Sequence, residues 1–204
     1  MRPNLMDLDP DDVSLTRFLS NATGATWTLT NTTPGDALAH QISIRNDSGT
    51  DHSGKTADLV GTDPDGDAQT ETLNLPAGAA TVESTKYWLT LASVTPSATI
   101  GADTMDIGFV DELSSHTYPI DYRSPYACNI SVDVTGTINF TVQETFANVL
   151  AGTAAVWVNI TALASKTADT TSTASVGATA IRLVVNSYTD TAELQMYTSQ
   201  AGNS

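Results

Sequence analysis

The chain has a single cysteine, Cys128, among its 204 residues, and this scarcity excludes an intramolecular disulfide. The fold must therefore rest on packing alone, which suits a protein made in a reducing cytoplasm. Cys128 lies beside the alternating apolar residues Ile130, Val132 and Val134. We therefore expect a buried structural thiol, because a nucleophilic cysteine needs a neighbouring basic group to lower its pKa.

Basic residues and long apolar runs are also scarce. Eight Lys and Arg residues oppose 23 Asp and Glu residues, which gives a net charge of −15. Binding to nucleic acid depends on clustered Lys and Arg, so we expect no nucleic-acid partner. No apolar run approaches the roughly 20 residues of a membrane span, and residues 1–5 lead into acidic sequence, not into a signal-peptide core. We therefore expect no membrane partner.

Apolar residues that alternate with polar ones are abundant, and this period of two indicates β-strands. The pattern begins at Trp27 and Leu29, continues through Ile42 and Ile44, and returns around Ile130 and in the later segments that contain Val158 and Leu183. Strands at this spacing predict an all-β fold of antiparallel β-sandwich modules, Ig-like or jelly-roll-like. We expect one module over residues 21–115 and another over 116–204; one continuous jelly-roll-like domain is the alternative.

Residues 1–20 precede the first clear strand and form an expected N-terminal arm. Asp9 and Pro10 resemble a helix start, but the residues that follow have indifferent helix propensity, so the arm is either extended or a short helix. Its apolar side chains lack a strand of their own, and we expect them to bind a partner. The predicted interface residues of the arm are Leu5, Leu8, Val13, Leu15 and Phe18.

Trp88 and Trp157 stand opposite the aliphatic faces of their strands. Either a second layer covers them, or their rings face a partner, and we include both residues in the predicted interface. Together with Trp27 they also permit a third interpretation, in which exposed aromatic rings stack on a glycan. Burial in a core remains the commoner fate of tryptophan in a strand.

The acidic segment Asp63, Asp65, Gly66 and Asp67 separates two β-prone runs. Asp-Gly at this place predicts a β-hairpin with a type I′ turn, because both central residues of that turn need positive φ. Crowded carboxylates are also what calcium requires, so Asp63, Asp65 and Asp67 are weak candidates for a metal site. The EF-hand order is not met, and we expect a plain turn with no metal and no cofactor.

Catalytic patterns are missing from the sequence. His40, His52 and His116 are widely separated and match no zinc spacing. No Gly-x-Ser-x-Gly segment marks a nucleophile elbow, and nothing singles out two catalytic carboxylates among the 23 acidic residues. We therefore expect a protein that is not an enzyme.

Several segments together resemble the small β-sandwich proteins of tailed bacteriophage particles. They are Gly61 to Asp67, Thr70-Glu71-Thr72, the aromatic strand Tyr87 to Thr95, Asp106 to Phe109, Ala180 to Ser187 and Ala192 to Met196. The resemblance implies a virion structural protein of the head decoration or cement type, assembled in the host bacterial cytoplasm. Its partners would be the major capsid protein and copies of itself. A tail or neck component and a host-glycan binding module are the alternatives.

Overall fold

A computed structural model describes residues 4–121, 127–151, 155–189 and 191–200. The chain forms two compact units, one of residues 11–113 and the other of residues 1–10 and 114–204. They are called the 11–113 unit and the 114–204 unit below. The sequence analysis placed the boundary between residues 115 and 116 and assigned residues 1–20 to neither module.

The described part of the chain is nearly all β, as predicted, and the pairings between its strands are antiparallel. Two short 3-10 turns, Val149–Ala151 and Thr161–Leu163, are the helical elements among these residues. The strands are β1 Asn4–Leu8, β2 Ser14–Ala22, β3 Ala39–Asn46, β4 Thr56–Thr62, β5 Ala68–Asn74, β6 Thr81–Trp88, β7 Thr90–Pro96, β8 Met105–Ser114, β9 Tyr118–Pro119, β10 Cys128–Thr135, β11 Ile138–Thr145, β12 Val158–Asn159, β13 Thr170–Thr173, β14 Ala180–Tyr188 and β15 Glu193–Gln200.

Two layers of strands form the 11–113 unit. One layer has the order β8-β3-β6, with β2 also paired to β8, and the other has the order β5-β4-β7. Ile42 of β3 and Leu59 of β4 lie in one buried cluster with Phe18, Trp88 and Phe109. Strand β4 sends alternate side chains, Ala57 and Leu59, into this core, whereas β8 is buried on both faces from Met105 to Val110. Two layers that face one core are the packing of a β-sandwich.

Two groups of strands also form the 114–204 unit. A four-stranded sheet has the order β1-β15-β10-β13, while β12, β11 and β14 pair in that order and β9 pairs with β14. The alternation in β10 buries Cys128, Ile130 and Val132 and leaves Asn129 and Asp133 exposed. A period of two thus sets which face of the sheet meets the core.

The expected N-terminal arm is divided between the two units, which corrects its interpretation as a separate arm. Within its described residues, 4–20, β1 pairs with β15, and β2 pairs with β8 at Ser14 and Leu19 with a register shift between them; residues 1–3 lie outside the described residues. Leu8 and Phe18 are buried. Except for Val13, the apolar side chains that lacked an obvious strand are therefore members of two strands of their own.

Candidate docking surface

The residues predicted to form an interface do not share one environment. Trp88 is fully buried in the core of the 11–113 unit, so its ring does not face a partner. Trp157 is half-buried, and its ring lies 4.5 Å from the guanidinium carbon of Arg182 in a cation-π contact. Of the arm residues, Leu8 and Phe18 are buried and Leu15 is half-buried, while Leu5 and Val13 are exposed.

The acidic hairpin forms at the predicted place, but its turn is not type I′. Gly66 N donates to Asp63 O at 3.0 Å, which puts Pro64 and Asp65 at the centre of the turn. Gly66 has a φ of +86°, whereas Asp65 has no positive φ. The correction has a covalent cause, because the ring of Pro64 locks φ near −65° and favours a type I turn followed by a left-handed glycine.

The carboxylate of Asp63 stabilises this turn through hydrogen bonds to its backbone. Its Oδ1 accepts the backbone N–H groups of Asp65 and Asp67, both at 2.9 Å. An Asp side chain that binds the backbone two residues later is a common turn device. Among the described residues, no cluster of three or more His, Cys, Asp or Glu side chains could hold a metal ion.

An ionic cluster lies at one end of β3. Arg45 Nη2 is 2.6 Å from Asp106 Oδ2, and Arg45 Nε is 2.9 Å from Asp47 Oδ1. Burial alone would raise the pKa of Asp106, but the amide of Asn21, the Asp47 side chain and Arg45 outweigh it and lower that pKa. Desolvation and the nearby Asp106 carboxylate raise the pKa of Asp47. The cluster fastens β2, β3 and β8 together.

His40 is buried and makes polar contacts through both ring nitrogens. Nε2 lies 2.7 Å from Asp36 Oδ2, and Nδ1 lies 3.1 Å from the carbonyl oxygen of Val110. Burial would raise the pKa of the Asp36 carboxyl, but the hydrogen bond and charge of His40 and the amides of Leu38 and Asp11 together lower it. These two contacts fasten the His40 ring between the segment before β3 and the carbonyl of Val110 on β8.

His52 has a different pair of partners. Its Nε2 lies 3.0 Å from Asp103 Oδ2, and its Nδ1 lies 3.1 Å from Lys55 Nζ. None of these groups is a hydroxyl nucleophile. The remaining nucleophile candidate, Cys128, is fully buried, and burial raises the pKa of its thiol to about 11. A thiol of this kind is inert at neutral pH.

Exposed large apolar side chains concentrate in the 114–204 unit, in the loops around the end of β11. We name as the apolar loop surface the residues Phe146, Leu150, Val156, Val158 and Val176, which are 54%, 81%, 78%, 44% and 81% exposed. Single exposed apolar side chains are ordinary on protein surfaces, whereas a group of them marks an interaction site. This group is therefore the candidate docking surface.

Backbone and side-chain contacts gather these loops around one strand end. Val158 of β12 pairs with Glu144 of β11. The buried Glu144 carboxylate accepts hydrogen bonds from the backbone and the hydroxyl of Ser175, the residue before Val176. The hydroxyl of Thr179 donates to the carbonyl of Ala147, the residue after Phe146. The loops before β12 and before β14 therefore meet the end of β11.

Trp157 explains why its two neighbours point outward. Its ring covers Arg182, whose Nε donates to Gln143 Oε1 at 2.8 Å. Because successive side chains of an extended segment point to opposite sides, this contact turns Val156 and Val158 away from the β11–β14 pair. Trp157 thus packs on Arg182, while its neighbours Val156 and Val158 are exposed.

None of the five residues of this surface was predicted from the sequence to form an interface. No charged residue occurs between Glu144 and Lys166, but residues 18–35 and 87–102 are also uncharged and contain the buried Trp27 and Trp88. Depletion of charge, which the cores of interfaces share, therefore does not by itself separate this surface from a core.

The fold and this surface define the chain as an all-β protein of two units with an exposed apolar loop region. No family model and no curated protein matches it. Among solved structures, it is similar to the major capsid protein P2 from Bacteriophage PM2, with 10% identity, a TM-score of 0.21, and coverage of 98% of this chain and 99% of that chain. A TM-score this low does not define a shared fold, so neither fold nor function is carried over from it. Among the described residues, no helix is long and apolar enough to cross a membrane.

Proposed function

We propose that the chain is a non-enzymatic structural protein of a phage virion, a head decoration or cement protein that binds the assembled capsid through the apolar loop surface. The observation that carries the proposal is the exposure of Leu150 and Val156, at 81% and 78%, within a segment without charge. Leaving such side chains in water is unfavourable, and covering them against a partner recovers roughly 25 cal/mol for each Å² of apolar area.

The partners in this proposal are the major capsid protein and copies of the chain itself. The resemblance of the sequence to small β-sandwich proteins of phage particles supports this choice of partner. The net charge of −15 supports docking on the capsid as well, because an acidic protein is attracted to a basic or mixed surface. Contacts between copies of the chain would be made by the uncharged loops, where repulsion between like charges is weakest.

The mechanism is passive. Each bound copy must be released before the capsid subunits beneath it can separate, so occupancy stabilises the shell by mass action. A modest interface suffices, since many copies act on one lattice. The groups that contact His40 and His52, together with the raised pKa of Cys128, give no support to a catalytic role.

The test is co-sedimentation of the purified protein with capsids that lack it. A variant with both Leu150→Asp and Val156→Asp places charge in the surface and is expected to bind at least about tenfold more weakly, a loss of about 1.4 kcal/mol. The matched control is Val60→Asp, since Val60 is 41% exposed but lies on β4 of the 11–113 unit. Both variants should melt close to the parent, because exposed sites change stability little.

Equal binding by the parent and the Leu150→Asp, Val156→Asp variant would reject the apolar loop surface as the attachment site. No binding of the parent protein to any capsid preparation would reject the decoration function itself.

A further inference from the structure

The outer face of the four-stranded sheet in the 114–204 unit carries a groove of about 430 Å³. It lies across β13, β10 and β15, with the backbone of Ile130, Ser172 and Thr198 as its floor. The side chains that flank it are Asn129, Ser131, Thr171, Thr173, Tyr197 and Ser199. The volume is in the range of about 300–1,000 Å³ that small-molecule sites occupy.

Register places these six side chains on one face. Asn129 pairs with Thr173 on one side and with Ser199 on the other. Ser131 pairs in the same way with Thr171 and Tyr197. Neighbouring strands lie about 4.8 Å apart, so two rows of polar side chains cross about 10 Å of sheet.

The groove is uncharged, although the chain has 23 acidic residues. The six flanking side chains carry four aliphatic hydroxyls, one amide and one phenol, which both donate and accept hydrogen bonds, while most of the exposed surface of the groove is carbon. The side chains of Asn129, Ser131, Thr171, Thr173 and Ser199 make no hydrogen bond to any other residue in the described part of the chain. The lining has no charged side chain that could pair with a cation or an anion. The groove is therefore complementary to a neutral, hydroxyl-rich ligand.

Tyr197 supplies the apolar element that such a ligand needs. Its hydroxyl donates to Gln195 Oε1 at 2.7 Å. Residues two apart on a strand share a face, so this bond fixes the end of the phenol toward Gln195 on the groove's face of β15. A ring held in this way can pack against the C–H face of a sugar while the flanking hydroxyls and the Asn129 amide bind its hydroxyls.

We infer that this groove is a binding site for a neutral oligosaccharide. The inference goes beyond the proposed virion function, because it concerns a different face of the 114–204 unit and a different ligand. The two claims can therefore fail separately: glycan binding is measured on the free protein, and capsid attachment is measured through the apolar loop surface.

The experiment is ligand-observed NMR titration of the full chain with short neutral α- and β-linked oligosaccharides of glucose, galactose, mannose and N-acetylglucosamine. Tyr197→Ala, which removes the ring, should weaken binding about tenfold or more, whereas Tyr197→Phe, which keeps it, should retain most of the affinity. Thr171→Val with Thr173→Val removes two hydroxyls at constant shape and should also weaken binding. Thr135→Val is the control, since Thr135 is exposed on β10 outside the groove.

Failure of every oligosaccharide to bind would overturn the inference. So would binding that is unchanged in Tyr197→Ala, or binding that Thr135→Val weakens as much as the Thr171→Val, Thr173→Val variant. Capsid co-sedimentation of Tyr197→Ala should equal that of the parent protein, which separates this result from the test of the proposed function.

Discussion

Two glycines of one hairpin should respond to alanine for different physical reasons. A Cβ on Gly61 would stand 2.0 Å from the carbonyl oxygen of Thr90 on the neighbouring strand. Gly66 has nothing within 4 Å of that position, but its φ is +86°. Gly61 also lies where the register of β4 against β7 shifts, a common place for a glycine that permits close approach of two strands.

The magnitudes follow from these two geometries. Alanine at Gly66 takes up a left-handed conformation, which costs about 1–2 kcal/mol. Alanine at Gly61 forces β4 and β7 apart by about 1 Å before the contact with Thr90 becomes tolerable. Overpacking of this kind costs about 1–3 kcal/mol, and each ladder hydrogen bond that is lost adds about 0.5–1.5 kcal/mol. We therefore expect Gly61→Ala to cost about 3 kcal/mol or more.

The assay is thermal and urea unfolding of the full chain. In a domain of about 100 residues, 1 kcal/mol lowers Tm by about 4–8 °C, so the two variants should be clearly separated. Gly54→Ala is the control, because Gly54 has open space around it and no positive φ. It should be neutral or slightly stabilising. A loss of stability for Gly61→Ala that is no larger than that for Gly66→Ala would refute the reasoning about close strand approach.

Three further predictions concern single side chains. Cys128, whose thiol pKa is raised to about 11, should react with an aromatic disulfide reagent only at the rate of unfolding; prompt labelling of the native protein would contradict its burial. The pKa values of Asp36 and Asp106 are lowered in the folded protein, so the stability these carboxylates contribute is present above their unfolded-state pKa of about 3.9 and is lost as pH falls through their folded-state pKa values. Asp36→Asn should therefore reduce the fall in the free energy of unfolding at acid pH. An unchanged fall at acid pH would contradict this. Asp63→Ala should cost about 1 kcal/mol by removing the acceptor of two backbone amides, while melts in calcium and in chelator should coincide; a calcium-dependent rise in Tm that Asp65→Ala abolishes would contradict the plain turn.

The strands of the core could be predicted because a strand with one buried face has apolar residues at every second position of its sequence. Ile130, Val132 and their partners alternate with polar residues, and a one-residue shift would turn every one of them to solvent. The burial of Cys128 follows from the same alternation, because it lies on the same face as these residues.

The geometry of the turn and the strands of the arm were predicted wrongly, because neither follows from the one local pattern that was used. Asp65-Gly66 favours a type I′ turn, but Pro64 fixes the preceding φ and selects another geometry. In the arm, the alternation of apolar and polar residues around Leu8 and around Phe18 is too short to distinguish a strand from a free segment. Their pairing with β15 and β8 is long-range in sequence, and a local pattern does not contain it.

The apolar loop surface was missed for a third reason. Alternation indicates a strand, and Val156, Val158 and Ile160 alternate as one aliphatic face, with Trp157 on the opposite face. The structure has the reverse arrangement: the ring of Trp157 lies over Arg182, while Val156 and Val158 are exposed. Arg182 is distant from Trp157 in sequence, so a local pattern does not contain this contact.

The central claim is that the chain covers a phage head, and its stoichiometry in the particle tests that claim most directly. The measurement is quantitative gel staining of purified virions from the genome that encodes the chain, with the band compared with that of the major capsid protein. The account predicts a copy number that scales with the capsid lattice. Absence from the particle, or a copy number set by the symmetry of the tail, would contradict it.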